Sequence, residues 1–150
     1  MIRLKTAQIC RTTKETDIRV TLNPYGSGKI DIHTGIGFFD HMLTALSFHA
    51  GWDLTLQATG DLYVDTHHTV EDVGIVLGKA FAEALEDKSG IRRFGSAYVP
   101  MDEALCFAAV DISGRAFLVL HAPVREERIG DFETATLPEF MRAFAANAGI

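Results

Sequence analysis

Thiols, surplus basic charge and long apolar runs are all scarce in this chain, and each scarcity removes a class of function. The two cysteines, Cys10 and Cys106, lie far apart and belong to no paired-cysteine motif, so a reduced, cytoplasmic protein is expected rather than a disulfide scaffold or a thiolate zinc site. Fourteen Lys and Arg against twenty Asp and Glu leave a formal charge of −6 with no basic cluster, which disfavours a nucleic-acid partner. No run approaches membrane-spanning length, and the opening MIRLKTAQIC alternates polar with apolar residues instead of forming a signal-peptide core. No linker or low-complexity tract divides the 150 residues, of which 47% are apolar; one domain, 1–150, with a real core is expected.

The chain does hold a concentration of imidazole and carboxylate. Asp65 to Asp72 reads DTHHTVED at the start of an expected helix. Residues three and four apart share a helix face, so His67 with Glu71, His68 with Glu71, and His68 with Asp72 can each converge. Such ligands suit manganese, iron or zinc better than calcium. Adjacent histidines point about 100° apart around a helix, so two metals, or one metal and a substrate, is the natural inference. The plain alternative is a solvated helix start whose acids complement the macrodipole. A second constellation is GIGFFDHML, Gly35 to Leu43: a glycine turn, Asp40 as N-cap, and an apolar helix to Gly51, with His41 in its first turn and His49 two turns on. Five of the six histidines fall between His33 and His68.

Hydrophobic periodicity gives strands, then helices, twice over. Ile18–Leu22 and Lys29–His33 read as strands paired across an Asn23–Gly28 turn, followed by the His41 helix, a strand at Leu54–Ala58 and the His67 helix through Leu85. After Gly90, strands are expected near Leu105–Ile112 and Phe117–His121, then a helix from about Leu137. A shift of 98 residues lays Phe39–Gly51 on Leu137–Gly149, matching Ala45 with Ala143, Ala50 with Ala148 and Gly51 with Gly149. His41 then falls on Glu139, a second candidate ligand whose plain alternative is a helix-start carboxylate. The expected architecture is an α+β two-layer sandwich, a tandem repeat of a split βαβ-type unit resembling the second domain of a small-subunit ribosomal protein. The first repeat covers about 1–90 and an incomplete second about 91–150.

RTTKET (Arg11–Thr16), GIGFFDHML, DTHHTVED, IRRFG (Ile91–Gly95), PMDEAL (Pro100–Leu105), DISGR (Asp111–Arg115) and IGDFET (Ile129–Thr134) occur in order. Together they closely resemble the imidazoleglycerol-phosphate dehydratase family, which converts imidazole glycerol phosphate to imidazole acetol phosphate and water in histidine biosynthesis. The resemblance implies two manganese(II) ions per active site, His41 and His68 on one and His67, Glu71 and Glu139 on the other. It implies that the metals stabilise an imidazolate while hydroxide leaves, with Glu71 and His49 catalytic. Glu15 and His49, beside the metal-ligating His41, His67, His68 and Glu71, would line the pocket for the phosphorylated imidazole substrate, and Arg93 and Arg115 would hold its phosphate.

A homo-oligomer, a 24-mer in the family, with sites shared between subunits is also implied. The family carries a second His-His-x-x-Glu motif not reached by Ile150, so the chain as given is expected to turn over little without a further segment of about 40 to 50 residues, the length of the missing strand and helix in the repeat. Two other readings are a non-catalytic metal-binding fragment and, less favoured, a metal-dependent hydrolase, against which the lack of a His-Glu-x-x-His helix counts. Asp65 and Asp72 are expected to orient the ligating imidazoles, Asp102 and Glu103 to be structural at a strand entry, and His33 and His121 to be strand residues outside the site.

Overall fold

The computed structural model describes residues 5–150. Its elements are β1 (Ala7–Thr12), β2 (Thr16–Asn23), β3 (Ile30–His33), α1 (Gly37–Ala50), β4 (Asp53–Gly60), α2 (His67–Ala84), β5 (Phe94–Met101), β6 (Ala104–Asp111), β7 (Arg128–Ile129), β8 (Phe132–Glu133), a 3-10 turn (Thr134–Thr136) and α3 (Leu137–Ala148). The chain is thus α+β.

The main sheet has the order β1-β2-β4-β3, with β3 parallel to β4 and the other pairs antiparallel. A parallel pair cannot be joined by a tight turn, and α1 supplies the crossover from β3 to β4. Period-two alternation sends Ile18, Val20 and Leu22 of β2 and Leu54 and Leu56 of β4 inward, all buried. These residues are register partners: Leu22 faces Leu54 and Val20 faces Leu56. The apolar stripe of α2, Val70, Val73, Val76, Leu77 and Ala80, joins the same core.

Helix α2 also packs against α3, and its glycines set the distance. A Cβ on Gly74 would lie 2.8 Å from the Phe140 carbonyl oxygen, and one on Gly78 would lie 2.7 Å from that of Phe144. Residues four apart share a helix face, so the pair forms a groove in which the α3 backbone sits. Helices α1 and α3 both end on a left-handed glycine, Gly51 at φ 69° and Gly149 at φ 70°, which are the two positions brought together by the 98-residue shift.

Several expectations are corrected. Ile18–Leu22 and Lys29–His33 do not pair with each other, because β4 lies between them. The Asp53 carboxylate accepts the Ser27 and Lys29 N–H groups at 2.7 and 2.8 Å, and Gly26 N–H donates to Gly51 at 3.0 Å; the connection is pinned to the start of β4, not closed as a hairpin. Asp40 is not the α1 cap. The helix starts at Gly37, leaving His41 beyond its first turn, and Asp40 instead accepts the amide and hydroxyl of Thr34 at 2.9 and 2.6 Å. Phe117–His121 forms no strand, and His121 lies in an irregular segment. Asp102 and Glu103 make the turn between β5 and β6, with Asp102 at φ 49°. That hairpin is a separate two-stranded sheet, exposed along nearly its whole length.

Candidate active site

The first turn of α2 carries two imidazoles, and each is paired with a different carboxylate. His67 Nε2 stands 3.6 Å from Glu71 Oε2, the i,i+4 relation expected on a helix face. His68 turns the other way and places Nδ1 2.9 Å from Asp61 Oδ2, at the end of β4. The two rings lie 6.0 Å apart between centroids, with their planes 24° from parallel. Because each ring has its own acid, the helix start presents two adjacent donor sets rather than one.

The electrostatics extend both sets. The His68 pKa is raised above the ordinary 6.5, chiefly by the hydrogen bond to Asp61, against a lesser lowering by burial and with added pull from Asp61, Asp65 and Glu15. Glu15, on the turn between β1 and β2, therefore lies in the field of His68. The Glu139 pKa is lowered, first by its 2.6 Å hydrogen bond from Arg142 and in smaller part by His67. Glu139 lies in the first turn of α3, where its carboxylate is held by Arg142 and within the electrostatic reach of His67.

Local packing explains why α2 begins where it does. Asp65 Oδ1 accepts the His67 backbone N–H at 2.8 Å, and Thr66 donates its hydroxyl to Glu133 at 3.2 Å. A Cβ on Gly60 would lie only 1.9 Å from the Thr69 hydroxyl oxygen. Glycine at this position lets the helix start approach the end of β4, and that approach brings His68 to Asp61.

The remaining candidates sit elsewhere. His41 is exposed on α1, its ring 6.4 Å from that of Phe38, and His49 lies edge-on to Phe48 at the other end of the same helix. Arg93 makes a two-pronged ion pair with Asp111 at 2.6 and 3.1 Å. Asp111, at the open end of the β5–β6 hairpin, has its pKa lowered first by that hydrogen bond from Arg93, against burial, and least by the charge of Arg115. His33 is on β3, paired with Asp31 at 3.0 Å. Among the described residues no three His, Cys, Asp or Glu side chains gather closely enough to hold an ion by themselves.

Two second-rank expectations fail. Asp72 does not orient an imidazole; it faces the sheet, accepting from Arg11 Nε at 2.9 Å and from the Thr16 hydroxyl at 2.6 Å. Asp65 bonds the His67 backbone, not its ring. The acid that does orient a ring is Asp61, which periodicity could not have found, because it lies seven residues before His68 and outside the helix.

A family profile described as imidazoleglycerol-phosphate dehydratase matches residues 34–150. Among curated relatives, the imidazoleglycerol-phosphate dehydratase of Acidiphilium cryptum is 59% identical over 145 residues, covering 97% of this chain and 74% of the relative. That of a Thermoanaerobacter species is 58% identical, covering 98% and 76%. Among solved structures, the crystal structure of the Staphylococcus aureus imidazoleglycerol-phosphate dehydratase superposes with a TM-score of 0.85 at 39% identity, covering 97% of this chain and 79% of that one. The chain therefore belongs to the imidazoleglycerol-phosphate dehydratase family, the hydro-lyases of histidine biosynthesis.

Proposed function

We propose that the start of α2 is the metal-dependent dehydratase centre, acting on imidazole glycerol phosphate to give imidazole acetol phosphate and water. The observation carrying this reading is the division of the helix start into two adjacent imidazole–carboxylate sets, His67 with Glu71 and His68 with Asp61. The donor chemistry fits manganese(II): the first set offers imidazole nitrogen and carboxylate oxygen and the second an imidazole nitrogen, while both cysteines are exposed elsewhere. His67, Glu71 and Glu139 would hold one ion, and His68 with His41 the other. His41 and His68 sit on different helices, α1 and α2, and a neighbouring copy in a homo-oligomer would bring the two to one ion. Bound manganese(II) supplies Lewis acidity to the substrate's imidazole nitrogens, making the ring an electron sink.

The chain's own residues divide the remaining work. Glu15, close enough to influence His68, and His49 would flank the substrate's carbon chain. Glu71, an acceptor 3.6 Å from His67, would take part in moving the proton whose loss accompanies departure of water. Arg93 and Arg115 would exchange Asp111 for the substrate phosphate, which offers the same bidentate oxygen geometry with more charge. No helix among the described residues is long and apolar enough to cross a membrane, and the reading includes a cytoplasmic location and no nucleic-acid partner.

The experiment is chelation and reconstitution of the intact protein with imidazole glycerol phosphate as substrate. Activity lost on stripping and restored by manganese(II) is expected. Undiminished turnover by verified metal-free protein contradicts the reading.

A further inference from the structure

Asp61 pairs with His68 but is not among the groups assigned to the metal or the substrate, and its environment is unusual for an aspartate. Its side chain is only 11% exposed, whereas its partner His68 remains 46% exposed. One carboxylate oxygen accepts from His68 Nδ1 at 2.9 Å. The other, Oδ1, is buried without a hydrogen-bond partner among the described residues. The backbone next to it is arranged for the contact: Gly60 admits the Thr69 hydroxyl where a Cβ would stand 1.9 Å away, and that fit seats the helix start against the end of β4.

The consequence for His68 is chemical. A carboxylate at Nδ1 requires the proton to reside there in the neutral ring, so the lone pair falls on Nε2. Free imidazole side chains favour the opposite tautomer. A carboxylate also restrains rotation about the side-chain bonds, fixing the direction in which Nε2 points.

We propose that Asp61 is a positioning residue that fixes the tautomer and direction of His68, so that Nε2 is the atom presented to the metal. This rests on the metal reading above. Asp61 touches neither the metal nor the substrate; it acts through the ring.

The test uses the intact protein, with Asp61→Ala and Asp61→Asn, and two readouts that need no turnover. In metal-free protein at alkaline pH, where histidines are neutral, nitrogen-15 NMR of the histidine rings reports the tautomer, His68 being assigned by its loss in His68→Gln. The wild type is expected to carry its proton on Nδ1 and Asp61→Ala predominantly on Nε2. Manganese(II) affinity, followed by paramagnetic resonance of free ion, is expected to fall by about 10- to 100-fold in Asp61→Ala, with Asp61→Asn intermediate. Helical circular dichroism of each variant checks that it folds; if the alanine variant does not, the asparagine variant, which keeps the shape, carries both readouts. A wild-type His68 protonated on Nε2 overturns the proposal, as does unchanged affinity in a folded variant. Unchanged affinity with metal still bound leaves the metal reading standing. Wild-type protein that binds no manganese(II) overturns both, and the tautomer then reports only a structural hydrogen bond.

Discussion

Arg11 and Asp72 tie the first strand to the helix that carries the candidate ligands: Arg11 Nε donates to Asp72 Oδ1 at 2.9 Å, while the Thr16 hydroxyl takes Oδ2 at 2.6 Å. Asp72 is buried and Thr16 more so, and the turn between their partners holds Glu15. The pair therefore sets where Glu15 stands relative to His68. Asp72→Ala removes the partner of Arg11 and the shorter of the two Thr16 hydroxyl contacts, leaving that to Thr13 at 3.3 Å, and is expected to lower stability by about 1 to 2 kcal/mol. The double variant with Arg11→Ala should cost less than the sum of the single changes, because the two share one interaction. Urea denaturation of the four proteins measures both; strict additivity would show the pair to be inert.

The seam between α2 and α3 yields a contrast between two glycines. Gly78→Ala places a methyl 2.7 Å from the Phe144 carbonyl oxygen and 3.1 Å from the Ala148 nitrogen. Backbone atoms cannot swing aside, so the helices must separate, at about 1 to 3 kcal/mol. Gly37, at the first position of α1, has nothing within 4 Å of a built Cβ, and alanine there should be neutral or stabilising. Thermal melting is expected to show a clear loss for Gly78→Ala and none for Gly37→Ala; a Gly78→Ala variant as stable as the wild type would mean the seam is not close-packed.

Asp53 provides a pH signature independent of any metal. Its carboxyl pKa lies below the ordinary 3.8, first because Lys29 and then Ser27 donate backbone N–H groups to it, against a smaller effect of burial. A depressed folded pKa adds stability above the unfolded value and loses it as pH falls through the folded one. The stability gap between wild type and Asp53→Asn should therefore be full at neutral pH and shrink progressively below about pH 4. A gap that is flat across that range would remove the charge from the account of the β2–β3 connection.

The sequence shows best what is local. The stripe Val70, Val73, Leu77 and the pair His67 with Glu71 are written at helical spacing, and α2 forms as expected from them. The alternation of Ile18, Val20 and Leu22 marks a strand but names no partner; that β4, not β3, lies beside β2 depends on contacts more than thirty residues apart. Phe117–His121 shows why alternation alone is insufficient, since a strand also needs a neighbouring edge to receive its hydrogen bonds. The site follows the same division. His67 and His68 are visible by their spacing, whereas Asp61 meets His68 only because Gly60 lets the helix approach the sheet.

The most direct measurement is a crystal structure of the intact protein grown with manganese(II), with anomalous scattering recorded to locate the metal. The account predicts anomalous peaks at about 2.0 to 2.3 Å from ligand atoms, one beside His67 and Glu71 and a second beside His68 Nε2, with Asp61 retaining Nδ1. A map with no peak at the start of α2, or with manganese bound only elsewhere, would contradict it.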